Sequence, residues 1–168
     1  FYRDVNDPSP NRQAAAVALL SVLNPEIARP LSRALSSNPG LPIETRRAAE
    51  LAANLLSRFG PALNYRLLVF YSSTNADSRT RAQIIRERLL RERFPNAVDL
   101  IATDSTRFAR LGAPAANEVR FERNFEDAAA EQLVRLLDEY LAFRNEHFRP
   151  IPVDLGRSDG VISIFLRR

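Results

Sequence analysis

Residues 72 to 81, SSTNADSRTR, hold the densest set of side chains in this sequence that could act on a ligand. Ser72, Ser73 and Thr74 offer hydroxyls, and Asn75, Asp77 and Ser78 lead into a helical stretch that carries Arg79 and Arg81. Hydroxyls and unpaired backbone N–H groups at a helix start bind phosphate, because the amides and the helix dipole both point at the anion. Two features oppose that chemistry here. Asp77 repels an anion, and no glycine stands in the turn to let the backbone close on a phosphate. The spacing therefore predicts a helix cap, with Asp77 or Ser78 satisfying the first free amides. Arg79 and Arg81 keep the capacity to draw an acidic ligand to the helix start.

This turn is similar to the phosphate loop of flavodoxins, a Ser/Thr-x-Thr-Gly-x-Thr run between a strand and a helix. Asn75 and Ala76 replace its glycine and variable residue, and the rest of the chain does not alternate strand and helix as a doubly wound sheet requires.

Other chemistries are removed by composition. All 24 cationic residues are arginine, and lysine, cysteine, methionine and tryptophan are absent. That excludes a P-loop lysine, a Schiff base, a thiol nucleophile, a disulfide and a thiolate metal site. His147 is the one histidine, so no multi-histidine metal centre can form. It follows the end of a long helical stretch, where the carbonyl ends favour a partly positive imidazole, and no motif sets a serine or carboxylate beside it. There is no G-x-S-x-G, and Asp99, Asp104, Asp154 and Asp159 lack metal-loop spacing. Asp154 and Asp159, near Gly156 and Gly160, read as turn residues. The sequence thus predicts a non-catalytic module that needs no cofactor and no metal.

The net charge of +4 is spread over 24 arginines and 20 carboxylates, a mixed solvated surface rather than a nucleic-acid patch. The pairs Glu87 and Arg91, Glu131 and Arg135, and Arg135 and Glu139 are spaced for i, i+4 ion pairs. A hydrophobic fraction of 45% suffices for a core. The longest apolar run, AAAVALL, is far short of the roughly 20 residues that cross a bilayer, so any membrane contact is expected from segments outside this sequence. A start at Phe1 rather than methionine reads as a fragment or a processed product.

These residues must be positioned by two kinds of structure. Residues 1–63 read as helical: Pro10 to Leu23 with an apolar stripe, a second helix from Pro25 to about Ser37 with a bend at Pro30, and a third from Ile43 to Phe59 stopped by Gly60-Pro61. ALLSVLNPEI and NLLSRFGPAL echo each other at an offset of 36 residues (18 to 54) and resemble a HEAT-type helical pair. Residues 64–168 read as YRLLVFYS strand, Ser78 to Phe94 helix, AVDLIATD strand, STRFARLGAPAA loop, NEVRFERNF strand, Glu126 to Arg144 helix, RPIPVDLGRSDG connection and GVISIFLRR strand. The order βαββαβ predicts an α+β ferredoxin-like plait with a four-stranded antiparallel sheet and both helices on one face.

Alternation puts Arg66 and Phe70 on one side of the first strand. With the uncovered face outward, Arg66, Phe70, Arg120, Phe165 and Arg167 form a mixed aromatic and cationic surface suited to a glycan, an anionic polymer or a protein. It is similar in plan to an RNA-recognition motif, but the strands lack that motif's glycine-aromatic pattern, and Glu118 and Glu122 oppose phosphate.

The strand YRLLVFYSS, the helix SRTRAQIIRERL and the strand-into-helix run NEVRFERNFEDAAAEQLVRLL together resemble the LytR C-terminal family and the SPOR-like domains of bacterial cell envelopes. That resemblance implies a non-catalytic envelope module, outside the cytoplasm, that binds peptidoglycan glycan strands or a protein partner. The alternative reading is a regulatory plait that binds a small ligand or RNA through the same face or the 72 to 81 turn.

Overall fold

A computed structural model describes residues 25–154 and 160–167, and the chain divides into two compact units between Asn64 and Tyr65. The expected helix Pro10 to Leu23, residues 18–24 of the internal echo and the turn residue Asp159 lie outside the described residues.

The first unit contains α1 (Pro25–Ser36) and α2 (Ile43–Phe59), followed by a 3-10 turn (Gly60–Asn64). Pro30 lies inside α1. The two helices pack through small residues and one leucine: Ala28, Ala49 and Leu56 are fully buried, Ser32 and Ala52 nearly so. Arg29 Nη2 donates to Leu56 O at 3.0 Å, filling an acceptor near the end of α2. Gly60 accepts the end of that helix at φ 49°, a left-handed value that a Cβ would strain.

The second unit is built on one five-stranded sheet. Its elements are β1 (Arg66–Ser72), α3 (Ala76–Arg91), β2 (Val98–Thr103), α4 (Ser105–Arg110), β3 (Asn117–Glu122), α5 (Asp127–Tyr140), a 3-10 turn (Ala142–Arg144), β4 (Phe148–Val153) and β5 (Val161–Phe165). The strand order is β2-β1-β5-β3-β4. β1 is parallel to β2 and to β5, β3 is parallel to β4, and only β3 with β5 is antiparallel. The sheet therefore consists of two parallel strand-helix-strand units with the last strand inserted between them. This is a mixed α+β fold, and its sheet replaces the four-stranded antiparallel plait expected from the element order.

The difference comes from residues 148 to 153. FRPIPV carries Pro150 and Pro152, which argue against a ladder strand, yet it pairs with β3 in the register Val119↔Pro150 and Phe121↔Pro152. A proline fits an edge strand when its nitrogen faces away from the neighbour. Arg123 N–H bonds Val153 O, so the odd-numbered residues of β4 turn their amides toward β3 and the two prolines turn outward. The expected loop 105–116 also contains a helix, α4, which Asp104 starts by accepting from Arg107 N–H at 2.7 Å.

α3 lies over β1 and β2, and α5 over β3 and β4, on the same face. There Leu67, Val69, Val119, Ile162 and Ile164 meet Ile85, Leu89, Leu133 and Leu137, all fully buried. The opposite face carries Phe70 and Phe165, opposed in register, with α4 laid across them.

Candidate functional site

The sheet's ends place one polar site. Ser72 closes β1, and three residues later Asn75, in extended backbone at φ −109°, caps α3 by accepting from Ser78 N–H at 3.0 Å. The cap is thus Asn75, where the sequence pointed to Asp77 or Ser78. Three capping residue types stand within four positions, and the helix begins at the earliest of them. Ser78 is fully buried and turned back, its Oγ accepting from Ser72 N–H at 3.1 Å. Ser72 Oγ and Thr74 Oγ1 bond each other at 3.3 Å. The turn satisfies its own polar groups and is a strand-to-helix junction.

One turn further along α3, Arg81 is 5% exposed. Its Nη1 donates to Glu146 Oε2 at 2.8 Å and to Asn117 Oδ1 at 3.3 Å, and its Nη2 to Arg167 O at 2.6 Å. Nε lies 3.1 Å from Asp77 Oδ2, an ion pair whose angle falls short of a hydrogen bond. Asn117, at the start of β3, ties the same groups together: its Nδ2 donates to Glu146 Oε2 at 2.6 Å, and its Oδ1 accepts from Arg167 N–H at 2.9 Å. Arg144 closes the ring with an ion pair to Asp77 and a bond from its Nε to Glu146 Oε1 at 3.3 Å.

Glu146 is the acceptor on which this network converges. Burial pushes its carboxyl up, but bonds from Asn117 and Arg81, the charge of Arg81 and the bond from Arg144 outweigh burial, so it titrates below the ordinary glutamate range. It is held ionised, as an anchor and not as a proton donor.

Above this floor opens a cleft of about 390 Å³ lined by Asn75, Asp77, Arg81, Ala116, Asn117, Arg144, Asn145, Glu146, His147 and Arg167. It sits at the carboxyl ends of β1 and β5, the side on which open α/β sheets receive ligands. Arg167 is exposed, and its guanidinium makes no hydrogen bond or ion pair among the described residues. His147 has a side chain 76% exposed, with Nδ1 3.5 Å from Asp138 Oδ2, while Asp138 Oδ1 accepts from Phe148 N–H at 2.7 Å. Among the described residues no three carboxylate or imidazole groups converge as metal ligands, and no helix is long and apolar enough to cross a membrane.

Of the seven residues read from the sequence as binding groups, the cleft gathers Arg81 and Arg167. Arg66, Phe70, Arg120 and Phe165 do share one face, as alternation required, but not as an open platform. Phe70 and Phe165 stack at 4.6 Å between centroids and 6° between planes, and Phe108 of α4 closes on Phe165 edge-on at 6.5 Å. Both rings are buried, at 8% and 3% exposure. Arg120 lies 4.0 Å over the Phe165 ring, pairs with Glu118 at 2.7 Å and donates to the carbonyls of Leu111 and Gly112 that end α4. Its charge is spent holding that helix down. Arg66 pairs with Asp99 at 2.6 Å, and Arg79 is exposed, with one bond to Ser73 O at 3.4 Å. Asn117, Arg144 and Glu146 were not singled out in the sequence. The polar run Arg144-Asn145-Glu146-His147 between a helix and a strand is the available signal.

Fold and site together define a two-unit α+β chain whose sheet carries a charge-compensated polar cleft. No protein family, no curated protein and no solved structure matches the chain.

Proposed function

We propose that residues 65–168 form a non-catalytic binding module of a larger bacterial cell-envelope protein, and that the cleft receives a peptidoglycan-type glycan. The observation that carries this reading is the pairing of a self-neutralised floor with an uncommitted rim. Arg81, Glu146 and Asp77 spend their charges on one another and Asn117 bonds into the same network, while Arg167, Asn145 and His147 line the same cleft with donors and acceptors to spare. Amide and guanidinium groups suit the hydroxyls, acetamides and carboxylates of such a glycan. The cleft's volume, about 390 Å³, falls within the range of small-ligand sites and accommodates a sugar unit or two. The resemblance of the β1, α3 and β3-α5 sequences to envelope modules supports the same class.

Sedimentation with purified peptidoglycan sacculi tests it, with a homopolymeric RNA as the control. The protein should pellet with sacculi across a range of salt, and Arg167→Ala should reduce the bound fraction while leaving the melting temperature unchanged. Binding to RNA that falls steeply with salt, without binding to sacculi, would replace this reading with a nucleic-acid one.

A further inference from the structure

The two outer edges of the sheet differ, and the difference carries an inference independent of the cleft. An edge strand exposes unpaired N–H and C=O groups and invites another strand unless it is blunted. β4 is blunted, since Pro150 and Pro152 stand at its outward positions and remove two donors. β2 is not. Leu67 N–H bonds Ala97 O and Ser73 N–H bonds Thr103 O, so the backbone groups of Asp99, Ile101 and Thr103 face β1. Those of Val98, Leu100 and Ala102 face outward, with no proline among them, and among the described residues no strand pairs with that side.

What stands beside this edge indicates its occupant. α3 covers β1 and β2, and its side toward α5 is marked by Ile84, Glu87, Arg88 and Arg91, which share a groove with Phe143. At 100° per residue the opposite flank, above the outer edge of β2, carries Arg79, Gln83, Arg86 and Leu90. All four are exposed, Leu90 at 54%, and no carboxylate stands among them. On the other face of the edge, Asp99 is already neutralised by Arg66. A second copy paired about a two-fold axis would set this arginine-bearing flank, which has no carboxylate to answer it, against its own image.

We propose that the outer edge of β2 takes an extended, acidic segment of a partner protein as an added strand. Main-chain bonds to Val98, Leu100 and Ala102 supply the pairing, and alternate side chains of the added strand lie under Arg79 and Arg86. The probe is a capped Val-Glu-Val-Glu-Val-Glu peptide, with Val-Arg-Val-Arg-Val-Arg as its control, followed by fluorescence polarisation and residue-resolved amide exchange. The acidic peptide should bind and slow exchange at Val98, Leu100 and Ala102 by tenfold or more, with β4 unchanged. Leu100→Pro, which gives β2 the device β4 already has, should abolish binding. Arg79→Glu with Arg86→Glu should weaken it at least tenfold at an unchanged melting temperature, and this surface variant decides the matter should the proline variant fail to fold. Equal binding of the basic peptide, no protection at the three amides, or protection that depends on protein concentration without peptide would each overturn the proposal, the last in favour of self-pairing.

Discussion

Arg81 Nη1 stands 2.8 Å from Glu146 Oε2, across 65 residues of sequence. The pair joins the second turn of α3 to the residues that lead into β4, and so ties together the two strand-helix-strand halves of the sheet at the floor of the cleft. Its side chains are 6% and 19% exposed, so each charge depends on the other for what water no longer supplies.

Removing one partner should therefore be worse than removing both. Arg81→Leu leaves Glu146 without its main counter-charge and is expected to lower stability by about 3 kcal/mol, whereas Arg81→Leu with Glu146→Leu should recover much of that loss. Urea denaturation of the two variants and the parent, compared at a common m-value, measures both.

Acid should act through the same carboxylate. The folded state holds Glu146 below its ordinary value, so the contribution is fully present above about pH 4.3, where an unfolded glutamate ionises, and is lost as pH falls through the depressed folded value. Denaturation midpoints between pH 6 and pH 3 should decline more steeply for the parent than for Glu146→Gln, which cannot titrate. Parallel curves would remove Glu146 from the acid response.

On the opposite face, Phe108 is the one aromatic of α4 and is fully buried against Phe70 and Phe165. Phe108→Ala is expected to cost about 3–5 kcal/mol through the cavity it leaves. It should also uncover the stacked rings, read as increased binding of a hydrophobic dye.

At the turn, Asn75→Ala should cost about 1 kcal/mol, because Ser78 N–H loses its acceptor. Asn75→Asp should cost little, since the carboxylate accepts the same bond. Thermal melts of the two variants separate capping from packing.

The sequence made some of this legible. The bounds of α2 are marked by Pro42 and by Gly60-Pro61, β1 and β2 stand out as runs of branched and aromatic residues, and β3 as a period-two alternation. The side of β1 shared by Arg66 and Phe70 follows from alternation alone. β4 was hidden because prolines are read as breakers, and their tolerance here depends on an edge position that only the assembled sheet defines. The cover over Phe70 was hidden for a related reason. α4 is six residues long, inside a stretch rich in alanine, glycine and proline, and its hold comes from Arg120 on another element. The cleft was the least legible part, since Arg81, Asn117, Glu146 and Arg167 meet through the strand order and not through any local spacing.

That strand order has a consequence for how the molecule comes into being on the ribosome. β5 is synthesised after every other strand described here, yet it occupies the middle of the sheet, between β1 and β3. Until Val161–Phe165 emerge, the nascent chain holds two half-sheets whose inner edges are unpaired, the state in which chaperones find clients and neighbouring chains find one another. The residue that fastens Arg81 and Asn117 through its backbone, Arg167, follows two positions later. The floor of the cleft is therefore complete only after the central strand and the residues that follow it have been made.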